Sequence, residues 1–168
     1  MKKKIAALLA AAALCASFTG CKGESGKSGS VVESSSKTAA EKAEALKAAV
    51  PFVDADNNEF ESRSVTEDQL KDTLGIDSAD VTEFAVYICP AGAIPDEFGI
   101  FVAKDTDAAK RIASTLTKRK DQRYDSFIKE GYKPKEASKF EDSFVETNGN
   151  TVIYAVCGDN SKAKELLK

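Results

Sequence analysis

The chain has 168 residues, 42% of them hydrophobic and 30% charged, and it contains no histidine and no tryptophan. Without histidine it lacks the commonest general base and the commonest transition-metal ligand, so Ser-His-Asp and Cys-His catalysis are excluded within this chain. The formal charge of −3 falls to −6 without residues 1–20, which hold three lysines and no acid, and such an acidic balance argues against nucleic acid as a partner.

The N-terminus carries an export pattern. Lys2, Lys3 and Lys4 form a basic patch, an alanine-rich apolar run follows over residues 5–18, and the run ends in Phe18-Thr19-Gly20-Cys21. This is the order of a secretory leader, with its basic end on the cytoplasmic side. A comfortable membrane span needs about 20 strongly apolar residues, and this run is shorter and richer in alanine. Its last four residues resemble the bacterial lipobox, in which small residues precede a cysteine that becomes acylated. Cleavage is therefore expected after Gly20, with lipidation of Cys21 and anchoring to the extracytoplasmic face of the cell membrane. Cys15 follows the bulky Leu14, fits that pattern poorly, and leaves with the leader. The chain accordingly divides into a signal peptide (1–20), a lipidated cysteine with a Gly/Ser-rich tether (21–37), and one domain (38–168). The tether, KGESGKSGSVVESSSK after Cys21, has too few large apolar groups to build a core and reads as a flexible spacer.

Thr38 followed by Glu41 is a capping box, and the alanine-rich stretch after it predicts a helix that Pro51 ends. DADNNEF, residues 54–60, superficially resembles a calcium loop but lacks the glycine and the terminal bidentate Glu that an EF-hand needs, so it reads as a polar turn with no metal. Ser64-Val65-Thr66-Glu67 opens a short helix with Leu70 and Leu74 on one face and Gly75 as its stop. Residues 81–89 alternate as a strand, and residues 98–103 make a second strand after the loop PAGAIPDE. Asp105 and Asp107 cap a long helix over about 106–129, ended by Gly131. Residues 132–139 read as a turn with a short helix. Strands at 143–147 and 151–158 flank Asn148-Gly149, a strong hairpin signal, and a helix at 161–167 closes the chain. The resulting fold class is α+β: a four-stranded antiparallel sheet, one long covering helix and small terminal helices. The second face of the sheet, with Glu83, Ala85, Tyr87, Ile153 and Ala155, is half apolar, so partial cover by the N-terminal helices is expected.

Two cysteines of the domain, Cys89 and Cys157, are the candidate disulfide pair, the alternative being two separate buried thiols. Arg119, Gln122 and Arg123 sit on neighbouring turns of the long helix. Arg119 either ties the helix to Glu97 at the start of the second strand, or joins Arg123 in holding an anionic ligand. Tyr87 and Tyr132 either line a groove or belong to the core.

The strand-loop-strand EFAVYICPAGAIPDEFGIFVAKD, Arg119 with Gln122, Phe127, Tyr132-Lys133-Pro134 and the hairpin VETNGNTVIYAVCGD together resemble the DUF4358 family of small bacterial lipoproteins. That resemblance covers the C-terminal half to two thirds of the chain. It implies a lipoprotein with a single α+β domain and brings no activity.

Three function classes remain. A membrane-anchored binding or accessory module ranks first, given the anchor, the tether and the absence of a catalytic motif or cofactor site. A small-ligand receptor serving a transporter ranks second, because such receptors usually close two lobes and this chain has one domain. A surface enzyme ranks third: there is no C-x-x-C, and no carboxylate pair stands out. The expected partners are the bilayer, through Cys21, and a protein or small molecule that the sequence does not identify.

Overall fold

A computed structural model describes residues 37–168; the expected signal peptide, the acylation site Cys21 and the tether up to residue 36 lie outside the described residues. Helix α1 spans Ala39–Ala49. Its first turn is closed as the capping box predicts, with Thr38 N–H donating to Glu41 Oε2 (2.8 Å) and Glu41 N–H donating to Thr38 Oγ1 (3.2 Å). Val50 ends it, since the residue before a proline is disfavoured in the helical region. The DADNNEF segment is a tight turn: Asp54 Oδ1 accepts from the backbone of Asp56 and Asn58, both at 2.9 Å.

Strand β1 (Arg63–Ser64) precedes helix α2 (Glu67–Leu74), and Gly75 at φ 74° stops that helix in a conformation a side chain would disfavour. Strands β2 (Val81–Ile88) and β3 (Glu97–Ala103) pair antiparallel from Val81↔Ala103 to Ile88↔Glu97. Helix α3 (Thr106–Tyr124) starts where Asp105 accepts a hydrogen bond from Ala108 N–H at 2.7 Å. It then widens into one π turn over Asp125–Lys129. The predicted length is right, but the last turn is π rather than α. A short helix α4 (Ser138–Glu141), strands β4 (Phe144–Asn148) and β5 (Thr151–Val156), and helix α5 (Asn160–Leu167) complete the domain.

The sheet is antiparallel in the order β1-β2-β3-β5-β4. It has five strands where the sequence predicts four. The extra one is β1, whose two exposed residues pair with Tyr87 and Ile88 and carry no alternating apolar signal. The hairpin also shifts slightly. Asn148 pairs with Thr151, so the loop is Gly149-Asn150 and not Asn148-Gly149. Gly149 at φ 59° takes its first position, as in a type II′ turn.

Strand alternation builds a core on each face. Val86, Phe101, Val152, Tyr154 and Val156 face α2 and α3, where Leu70, Leu74, Ile112 and Leu116 meet them. Tyr87, Phe98, Ile100, Ile153 and Ala155 face α1 and α5, where Ala43, Leu46, Ala163 and Leu167 close over them. Both faces are thus covered. The half-apolar face expected from the sequence is roofed by the first and last helices together.

Candidate functional site

The chemistry-bearing side chains converge on the start of β3, where two acids, Asp96 and Glu97, follow each other and are both fully buried. Because neighbouring residues of an extended chain point to opposite faces, the two carboxylates meet different partners.

Glu97 lies on the α3 side. Arg119 grips it with both prongs, Nε to Oε1 at 2.9 Å and Nη2 to Oε2 at 2.7 Å. The remaining arm of Arg119 donates to the Thr73 carbonyl at 2.6 Å, on the last turn of α2. Arg123, one turn further along α3, places Nε 3.4 Å from Glu97 Oε2, donates from Nη2 to the Ile94 carbonyl at 3.2 Å, and lies over the Phe127 ring at 5.2 Å. The Tyr154 hydroxyl donates to Glu97 Oε1 from β5. Burial alone would push the Glu97 carboxyl up, but the charges of Arg123 and Arg119, with the hydrogen bonds from Arg119 and Tyr154, outweigh it and hold the group below the usual range. Burial, reinforced by the neighbouring Glu97 charge, pushes the Tyr154 phenol well above its ordinary value, so it remains a donor.

Asp96 lies on the opposite side. Its Oδ2 meets the Lys139 ammonium, which also donates to the Val53 carbonyl. Lys139 Nζ is 2.8 Å from Glu136 Oε2, while Glu136 Oε1 accepts from Ala55 N–H at 2.9 Å. Asn160, at the start of α5, donates to the Lys139 carbonyl at 2.8 Å and accepts from Cys157 N–H at 3.0 Å. Here burial raises the Asp96 carboxyl to about 6; Lys139 opposes the rise and the charge of Glu136 adds to it.

Of the residues singled out in the sequence, Glu97, Arg119 and Arg123 come together. Arg119 holds the carboxylate, and both guanidinium heads are committed to Glu97 and to backbone carbonyls rather than presented to an anion. Gln122 stays exposed on the outer side of α3, where it lines a shallow groove with Lys71 and Lys118. Tyr87 is a core residue whose hydroxyl reaches Glu44. Tyr132 stands apart, 61% exposed.

The disulfide expectation is corrected: Cys89 and Cys157 are both free and buried. Cys89 donates its N–H to the Asp96 carbonyl, and Glu97, the next residue, lies between Ile88 and Val156 in the sheet. The two cysteines therefore flank the lead into β3, two strand spacings apart. That is about 10 Å, beyond the roughly 7 Å between Cα atoms that a disulfide spans. Burial pushes the Cys157 thiol up to about 12, which makes it inert at neutral pH.

Sequence reasoning missed Asp96, Glu136, Lys139, Tyr154 and Asn160. Asp96 sits in the loop PAGAIPDE, Glu136 and Lys139 in the segment read as a turn with a short helix, and burial of a Lys with two acids leaves no periodic trace. Tyr154 does alternate with Val152 and Val156, so its core position was legible, but its bond to Glu97 was not.

Among the described residues no group of three or more Cys, Asp or Glu is arranged to hold a metal ion. Both carboxylates are shut from solvent; both oxygens of Glu97 are bonded to cations or donors, while Asp96 uses Oδ2 for Lys139 and its Oδ1 has no hydrogen-bond partner among the described residues. As built, the arrangement fastens α2, α3, β3 and β5 on one side and the 53–55 turn, α4 and α5 on the other. No curated protein and no solved structure matches the chain at a significant level. The family model described as "Domain of unknown function (DUF4358)" matches residues 54–157, which include Asp96, Glu97, Arg119, Arg123, Glu136, Lys139 and Tyr154, and over that majority of its length the chain belongs to the DUF4358 family.

Proposed function

We propose that the protein is a lipoprotein held at the extracytoplasmic face of the cell membrane by acylated Cys21, with a domain that acts as a non-catalytic binding or accessory module. The observation that carries this reading is the N-terminal order of basic patch, short alanine-rich apolar run and Gly20-Cys21. The commitment of Glu97, Arg119, Arg123, Asp96 and Lys139 to one another supports the non-catalytic part, since a general acid or base must reach a substrate proton. Stable anchoring takes more than one acyl chain, so the domain would be bound to the bilayer without spanning it.

The test is fractionation of cells that make the parent or Cys21→Ser, with mass spectrometry of the N-terminal peptide. The parent is expected in the membrane fraction with a lipid-modified Cys21, and the variant in the soluble fraction. A variant as membrane-bound as the parent, with no lipid on the parent peptide, overturns the anchor. Proteins recovered with the detergent-solubilised parent then separate an accessory role from that of a transporter's receptor.

A further inference from the structure

Four aromatic rings of the domain, buried or partly exposed, have a lysine ammonium over them. Lys47 lies over Tyr87, Lys129 over Tyr124, Lys133 over Phe60 and Lys164 over Phe144, at 4.7–5.8 Å. Tyr132 is different. It is the most exposed large apolar side chain of the described residues, and none of their cations covers it. Its position is nevertheless fixed. Phe127 packs against it at 5.3 Å and 78°, and Lys133 N–H donates to the Phe127 carbonyl at 2.9 Å.

Beside this ring is a pocket of about 280 Å³ between the 54–56 turn and residues 132–136. The two segments, distant in sequence, are latched together by Glu136 Oε1 with Ala55 N–H (2.9 Å) and by Lys135 Nζ with Asp56 Oδ1 (2.8 Å). The pocket is therefore preformed. Its size lies just below the roughly 300 Å³ at which drug-sized sites begin, which suits a ligand of one ring. Its polar lining mixes acceptors (Asp54, Asp56) with donors (Lys133, Lys135), while the buried Glu136 carboxylate is committed to Ala55 and Lys139.

We infer that this pocket is a saccharide subsite, taking one uncharged pyranose ring with its C–H face on Tyr132. One face of such a ring carries C–H groups of slight positive character, which match the negative face of the phenol ring. Its rim carries hydroxyls that both donate and accept, and so can use carboxylates and ammoniums alike. An anion would meet Asp54 and Asp56, and a cation would meet Lys133 and Lys135. The inference rests on the reading of the domain as a surface binding module and names its ligand class.

The protein purified from membranes in detergent is titrated with tri-N-acetylchitotriose and, in parallel, with tetramethylammonium, and amide shifts are followed by NMR. The saccharide is expected to move the amides of residues 54–56 and 132–136 with a Kd near about 1 mM, as befits one ring in an open pocket. Tyr132→Ala is expected to weaken this at least about tenfold with the Tm unchanged, because the side chain is mostly exposed, while Tyr132→Phe keeps it. Shifts at these amides from tetramethylammonium alone would make the pocket an amine site and overturn the inference. Saccharide shifts that lie elsewhere, that survive Tyr132→Ala, or that never appear also overturn it. Those failures leave the membrane module standing, because that reading fails separately, through loss of lipidation and of co-purifying partners.

Discussion

Asp96 and Glu97 are adjacent carboxylic acids and equally buried, yet the protein treats them in opposite ways. Glu97 faces two guanidiniums and a hydroxyl; Asp96 shares one ammonium with Glu136. Desolvation penalises both, and the number of cations on each side decides the outcome: one carboxyl is held below its usual range, the other raised to about 6. Burial alone therefore says little about the charge of a group, whereas the local count of opposite charges says a great deal. The two sides balance only together, with three acids and three cations.

The largest effect is expected where one cation serves two acids. Lys139→Ala leaves Asp96 and Glu136 buried without a counter-charge, and should cost about 3–5 kcal/mol at pH 7 in denaturant unfolding. The loss should shrink toward pH 5 as Asp96, whose carboxyl burial already raises, protonates. A loss under about 1 kcal/mol at pH 7 would mean that the ammonium is not what neutralises this side.

Arg119→Ala should cost less, about 3 kcal/mol, because Arg123 still neutralises Glu97. Arg119→Lys should recover only part, since an ammonium cannot reproduce the two-pronged grip and the Thr73 bond together. An Arg119→Ala protein that melts like the parent but has lost affinity for an anion would instead make Arg119 a ligand-binding residue.

This pair shows how far the sequence could be read. Arg119 sits three residues after the buried Leu116, so a half-covered stem with a polar head is foreseeable, and Glu97 at a strand start is a natural partner. The Asp96 side had no such handle. Its members come from a proline-flanked loop and from a short α4 region rich in charge, and only the tertiary fold brings them together. Elements with a strong apolar pattern were legible: α3 buries one repeating stripe, and β2, β3 and β5 are apolar runs whose residues enter the cores on both faces of the sheet. The two-residue β1 and the π turn depend on neighbours and not on their own pattern.

Asp96→Asn sharpens the comparison through pH. A carboxyl whose folded pKa is raised contributes stability that is full below its unfolded value, near 3.8, and is lost as pH rises through about 6. The variant should thus match the parent near pH 4 and gain on it by on the order of 2–3 kcal/mol by pH 7, in unfolding curves taken across that range. Glu97 works with the opposite sign, contributing stability above about 4.5 that is lost as pH falls through its lowered value. A parent-minus-variant difference that stays flat from pH 4 to 7 would show Asp96 to be an ordinary ionised partner of Lys139. The smallest effect belongs to Gln122→Ala. That side chain is exposed and outside the Glu97 cluster, so the change should stay within about 0.5 kcal/mol, measured by thermal melting.

The bond from Arg119 to the Thr73 carbonyl has a consequence for the tempo of the fold. Helix α2 has eight residues, too few to persist alone in water. Leu70 and Leu74 hold its inner face, while the guanidinium fastens its last turn to the same side chain that grips Glu97. Opening α2 therefore disturbs the clamp on β3, and loosening the clamp frees α2. The two should exchange their amide hydrogens with deuterium as one cooperative unit rather than as a fraying helix beside a rigid sheet.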